Sequence, residues 1–118
     1  MKGKEILKIA IKACDDMQAK DITALNMKEL SILADYFLIC HATNERQVKA
    51  IAKEVRSLLE ENNVQVNFIE GYESARWIVI DAGYVLCHIF HEEERSYYNL
   101  ERLWGDANIE ELSFLNEG

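Results

Sequence analysis

A chain of 118 residues, 49% apolar and 29% charged, has the balance of one packed globular domain and is too short for two cores. Its 13 basic and 21 acidic residues leave a net charge of −8, which repels phosphate backbones, and no basic patch with interleaved aromatics offsets it, so direct nucleic-acid binding is not expected. No apolar run approaches the roughly 18–20 residues that span a bilayer, and the charged start Met1–Glu5 is unlike a signal peptide, so the expected compartment is the cytosol.

The charge is uneven. From His91 to Gly118 there are eight acids against two arginines, a net of −6, leaving −2 for the first 90 residues. Such a segment suits a basic protein partner, although an acidic excess also serves plain solubility. Cys14, Cys40 and Cys87 sit far apart inside apolar segments, as small buried hydrophobes in a reducing compartment do, and no C-x-x-C pair is present.

In chain order, Ile6, Ile9, Ala10, Ala13 and Met17 fall at helical spacing and predict a helix over residues 4–19. Residues 22–27 read as a short strand. The unbroken run Tyr36-Phe37-Leu38-Ile39-Cys40, within 34–42, predicts a central strand buried on both faces. Asn44 and Gln47 have capping-box spacing, and Val48, Ile51, Ala52, Val55, Leu58 and Leu59 then form one stripe, with Asn62-Asn63 as the exit. Val64, Val66 and Phe68 alternate with polar residues as a strand with one wet face. Residues 76–81 and 84–90 read as strands joined at Ala82-Gly83, a tight hairpin signal. Residues 92–103 predict a closing helix, with Gly105 as its stop. The tail 108–118 is open between a loose helix and a docked extension, so the domain is drawn at 1–107. The order predicts an α/β fold, a mixed sheet of about five strands flanked by helices.

Catalytic chemistry finds little support. The strand-to-helix junction Ala42-Thr43-Asn44 has no glycine to let backbone approach a phosphate, and no Walker or dinucleotide fingerprint exists. Asp35 and Asp81 lie on different strands, neither with a carboxylate two residues away to share a metal pair. Glu92-Glu93-Glu94 suits a solvated first helical turn. Cys87 and His88 would point to opposite faces of a strand, which argues against a shared zinc, and no catalytic triad is legible. No enzyme activity, metal or cofactor is expected. What remains is aromatic: Trp77, Tyr84, Phe90, Tyr97, Tyr98 and Trp104 gather in the last third, beside Arg76, Arg95 and Arg102. Phe90 and Trp104 read as core, while at least one of the adjacent Tyr97 and Tyr98 should be exposed for contact with a partner.

The same region carries a resemblance. Ala34-Asp35-Tyr36-Phe37 with Arg46-Gln47-Val48, then Glu70-Gly71 with Trp77 to Asp81 and Gly83, then His88-Ile89-Phe90-His91, Glu94-Arg95, Tyr97-Tyr98 and Leu100 to Trp104, resemble the ordered signature of the ribosomal silencing factor (Iojap/RsfS) family. The match runs from about Ile6 to Ala107. The resemblance implies a nucleotidyltransferase-like shape without catalytic residues. It implies binding to the large ribosomal subunit through its ribosomal protein number fourteen, a steric block to joining of the small subunit, repression of translation, and pairing as homodimers. The runner-up reading is a small enzyme or nucleotide-binding protein of the same shape. The expected partner surface has Trp77, Tyr97 and Tyr98 as anchors, with Asp81, Glu94, Arg95 and Glu101 around them. The sequence departs from the family pattern at Cys40-His41, where small residues are usual, at Tyr84 in place of an acid, and at Glu92 in place of a proline.

Overall fold

A computed structural model describes residues 2–32, 34–98 and 108–109, and of residues 96–98 and 108–109 the backbone alone. The elements are α1 (Gly3–Asp16), β1 (Lys20–Asn26), β2 (Tyr36–Ala42), α2 (Glu45–Glu61), β3 (Phe68–Glu70), β4 (Trp77–Asp81), β5 (Val85–His91), α3 (Glu92–Tyr98) and β6 (Asn108–Ile109). They form one mixed sheet in the order β3-β4-β5-β2-β1-β6. Among the described residues only β2 and β5 run parallel, and the other neighbouring pairs are antiparallel.

The continuous apolar run of β2 lies at the centre, between β5 and β1, where both faces are packed. One face, carrying Tyr36, Leu38, Cys40, Val85, Cys87, Ile89, Ile78 and Ile80, is covered by the apolar stripes of α1 and α2 in a single large core. The α2 cap forms as its spacing predicts: Asn44 Oδ1 accepts from the backbone N–H of Gln47 at 2.8 Å. The other half of the capping box does not. The Gln47 amide instead donates to the carbonyl of Met17, tying the start of α2 to the end of α1. All three cysteines are fully buried, with Cys14 and Cys40 sulfurs 3.8 Å apart.

Boundaries move: α1 ends at Asp16 rather than at 19 and β1 starts at Lys20 rather than at 22, and three further shifts follow. Residues 64–67 are not in the sheet; only Phe68–Glu70 pair with β4, because Val64 turns into the helix-covered core just after the exit at Asn62-Asn63. The hairpin turn is Gly83-Tyr84, since Ala82 N–H donates to the Val85 carbonyl at 2.9 Å and Gly83 takes φ +83°, as in a primed turn with glycine first. Asn108–Ile109, placed with the tail on sequence grounds, pair with Asn26 and Leu25 as a sixth strand. The end of the closing helix beyond Tyr98, Trp104 and the remaining tail lie outside the described residues.

Candidate functional site

Strand pairing dictates what shares the second face of the sheet. Register places Phe68, Asp81, Leu86, Phe37 and Leu25 in one row, Glu70, Val79, His88, Ile39 and Thr23 in the next, and Trp77, Phe90 and His41 in a third. Toward the centre this face is closed: Leu25, Phe37, Ile39 and Phe90 are buried in a small cluster with Met27 and Ala34. Toward the β3 edge it opens. Trp77, Val79, Asp81 and Leu86 are half-buried and Phe68 is 38% exposed.

The middle of the face is built around His88. Its Nδ1 accepts from the Trp77 indole N–H at 3.1 Å, and its ring packs against Phe37 at 4.9 Å between centroids. Trp77 in turn stacks on Phe90 at 5.1 Å and 23°. The Nε2 of His88 is buried with no hydrogen-bond partner among the described residues. Burial pushes the His88 pKa down from 6.5 to about 4, so the ring is neutral at physiological pH. Gly71 fixes where β4 begins: it sits at φ +81°, and a Cβ there would collide with the Trp77 carbonyl oxygen.

Ligands of open α/β sheets often sit beyond the carboxyl ends of parallel strands. Here β2 and β5 end at His41-Ala42 and Phe90-His91, and ion pairs fill that end. The Arg76 guanidinium donates to Glu93 at 2.8 Å and to Glu94 at 2.9 and 3.1 Å, and stands 3.5 Å from Glu45. The pair holds the Glu93 carboxyl below its usual range and the Arg76 guanidinium above it. Arg95 donates to the Asp21 carbonyl at 2.7 Å and lies 3.0 Å from His41 Nδ1, locking α3 onto the start of β1. Burial first, and then the Arg95 charge, depress the His41 pKa. Among the described residues no group of three His, Cys, Asp or Glu side chains is placed to hold a metal ion. Cys87 and His88 do point to opposite faces, and burial raises the Cys87 thiol pKa far above its ordinary range.

Of the expected partner residues, Trp77 and Asp81 share the open face, two rows apart. Asp81 also has a local duty, accepting from the Gly83 backbone N–H at 2.7 Å and from the Asn67 amide at 3.3 Å. Glu94 lies beside them only through Arg76, and Arg95 is at the other side, against β1 and β2. Tyr97 and Tyr98 fall on α3 with side chains outside the described residues, and Glu101 lies outside them altogether. Sequence reasoning missed Phe68, Val79 and Leu86. The parity of Trp77, Val79 and Asp81 was the available signal for Val79, whereas Phe68 and Leu86 needed the register of β3 and β5.

The fold and this face define a small α/β domain that presents an aromatic and aliphatic surface beside an ion-paired strand end. A family model described as ribosomal silencing factor during starvation matches residues 1–117. The ribosomal silencing factor RsfS of Bacillus subtilis (strain 168) is 54% identical over 114 residues, covering 97% of each chain. A crystal structure from Bacillus halodurans superposes with a TM-score of 0.83 at 48% identity, covering 92% of this chain and 99% of that one. One from Chromobacterium violaceum gives 0.87 at 39% identity, covering 89% and 88%. The chain belongs to the ribosomal silencing factor family.

Proposed function

We propose that this protein represses translation by binding the large ribosomal subunit, through its ribosomal protein number fourteen, and sterically blocking the small subunit from joining. The role needs neither catalysis nor a cofactor, and its place is the cytoplasm. Family membership along almost the whole chain is the observation that carries this reading. The open part of the second face gives it a physical vehicle. Phe68, Trp77, Val79 and Leu86 supply apolar area and Asp81 lies within it, while Glu93 and Glu94 follow the carboxyl end of β5, paired with Arg76. An apolar patch that carries the Asp81 carboxylate suits a basic ribosomal protein, with the charge raising the association rate and the aromatics supplying affinity.

The enzyme alternative gains nothing from the geometry, because Glu45, Glu93 and Glu94 at the strand ends are all engaged with Arg76. No helix among the described residues is long and apolar enough to cross a membrane. The test is co-sedimentation with purified large subunits, with and without added small subunits. The protein should pellet with large subunits and lower the yield of joined ribosomes in proportion. Pelleting with no effect on joining would refute the steric block, and no pelleting would refute the ribosomal reading. A homodimer burying the same apolar surface would compete with docking. Light scattering across a concentration series should then show a monomer–dimer shift that added large subunits reverse.

A further inference from the structure

Three thiols gather on the helix-covered face of the sheet. Cys14 ends the buried stripe of α1, Cys40 stands within β2, and Cys87 lies on β5, which runs beside β2. All three are shielded from solvent in one core. The sulfurs of Cys14 and Cys40, 26 residues apart in the chain, face each other at 3.8 Å. We propose that Cys14 and Cys40 form an oxidation site, a dithiol that a low-molecular-weight disulfide converts into an internal disulfide joining α1 to the central strand.

The geometry selects this pair. A thiol is a weak donor and a weak acceptor, so the two facing thiols satisfy each other in the core. A disulfide needs about 2.0 Å between its sulfurs, so the two side chains have roughly 1.8 Å left to close. Cys87 is placed differently. Register pairs it with Leu38, and Cys40 with Ile89, so Cys87 lies diagonal to Cys40 on the neighbouring strand rather than opposite it.

Burial sets when the reaction happens. In the closed fold no reagent reaches either sulfur. The Cys40 contact, and then burial, hold the Cys14 thiol well above its ordinary pKa, so little thiolate forms there. Local opening of α1, the first helix of the chain, exposes Cys14 and uncovers Cys40 beneath it. One exposed thiolate attacks the reagent's disulfide and expels one thiolate; the other displaces the second as α1 settles back. Two protein thiols are oxidised, the reagent's S–S bond is reduced to two thiols, and the protein's two thiol protons pass to the released thiolates. The new bond holds α1 against β2 and constrains the unfolded chain, so an oxidant that would trap opened molecules secures the fold instead.

The inference stands apart from the ribosomal reading, because the pair lies on the face opposite Trp77 and Asp81 and its test needs no ribosomes. Reduced full-length protein would be held with glutathione disulfide at neutral pH, in buffer and in urea below the unfolding transition. Samples would be quenched by alkylation, digested and read by mass spectrometry, with thermal melts beside them. A Cys14–Cys40 cross-linked peptide should accumulate, and faster in urea, because opening of α1 admits the reagent. The cross-linked protein should melt several degrees higher and return to the parent melt on reduction with dithiothreitol. Cys87→Ala should form the same cross-link. Cys14→Ala should form none, and in urea should carry glutathione on Cys40. Three free thiols after prolonged exposure in both conditions would overturn the proposal. So would glutathione left on Cys14 or Cys40 of the parent without a cross-link, a cross-link that enlists Cys87 in preference to either, or a cross-linked form that melts below the reduced one.

Discussion

Protonation of His88 should destabilise this protein as the pH falls below 6.5. The folded ring has no way to accept a proton without loss. Its Nδ1 accepts from the Trp77 indole N–H, so Nε2 carries the neutral ring's hydrogen, with no acceptor among the described residues, and an added proton would have to go on Nδ1 and set two N–H groups head to head. The pKa accordingly falls from 6.5 to about 4. A depressed histidine pKa means the unfolded chain binds the proton more readily, so stability is intact above pH 6.5 and is lost as pH falls toward 4. The loss is about 2 kcal/mol at pH 5 and approaches about 3 kcal/mol below pH 4. Carboxylates titrate in the lower part of that window, so the measurement is a difference. Urea denaturation of the parent and of His88→Gln, whose carbonyl can still accept from Trp77, would be compared from pH 7 to 4.5. The parent should lose stability relative to the variant as pH drops. A stability difference independent of pH, or an NMR titration of His88 near pH 6.5, would refute the reasoning.

Asn44→Ala removes the acceptor for the Gln47 N–H and should cost about 1 kcal/mol of stability, read as a lower urea midpoint with an unchanged slope. Arg95→Ala removes a cation beside His41, so the His41 pKa should rise toward its ordinary value while burial keeps it from reaching it, as an NMR titration would show. Purified protein with magnesium or manganese should neither hydrolyse nor transfer nucleotides, and turnover that vanished in Asp81→Ala would contradict this. Gly71→Ala should destabilise sharply, because a Cβ would both strain φ +81° and strike the Trp77 carbonyl; a melt like that of the parent would show the loop can move aside.

Elements defined by periodicity were legible in the sequence. The α2 stripe with its Asn44 cap and the central β2 appear where spacing puts them, and β4 and β5 pair as a hairpin with the turn one residue later than read, because each is decided by which residues must leave water. Register and long-range partners were not legible. Gln47 has the spacing of a reciprocal cap, yet its amide goes to Met17, a choice set by how α1 and α2 pack. Val64 and Val66 alternate like a strand, but alternation says only that one side is apolar, and Val64 satisfies it against the helices. The open face shows the same division. Trp77 was visible as a large aromatic beside charge, whereas the Trp77–His88 hydrogen bond and the exposure of Phe68 follow from strand pairings that no local pattern encodes.

Trp77 is where stability and docking have to be separated, because it serves both. It is half-buried, stacked on Phe90 and hydrogen-bonded to His88. Trp77→Phe keeps a stacking ring and removes the indole N–H, leaving His88 Nδ1 unpartnered, a loss of about 1 kcal/mol or somewhat more. Trp77→Ala also removes the stack and the buried half of the ring, about 3 kcal/mol in all. If the ring is also an anchor for the ribosomal partner, truncation should weaken binding by a further 2 kcal/mol or roughly thirtyfold, mostly through faster dissociation. Phe68→Ala supplies the control that Trp77 cannot. Phe68 is exposed on the short edge strand, so its removal should cost little stability and still slow no association while hastening release. Binding kinetics to large subunits, at a temperature where every variant is folded, decide the matter. Faster release in both Trp77→Ala and Phe68→Ala supports this face as the docking surface. Parent-like release in folded Phe68→Ala and Trp77→Phe would move the interface elsewhere and leave Trp77 a residue of the core.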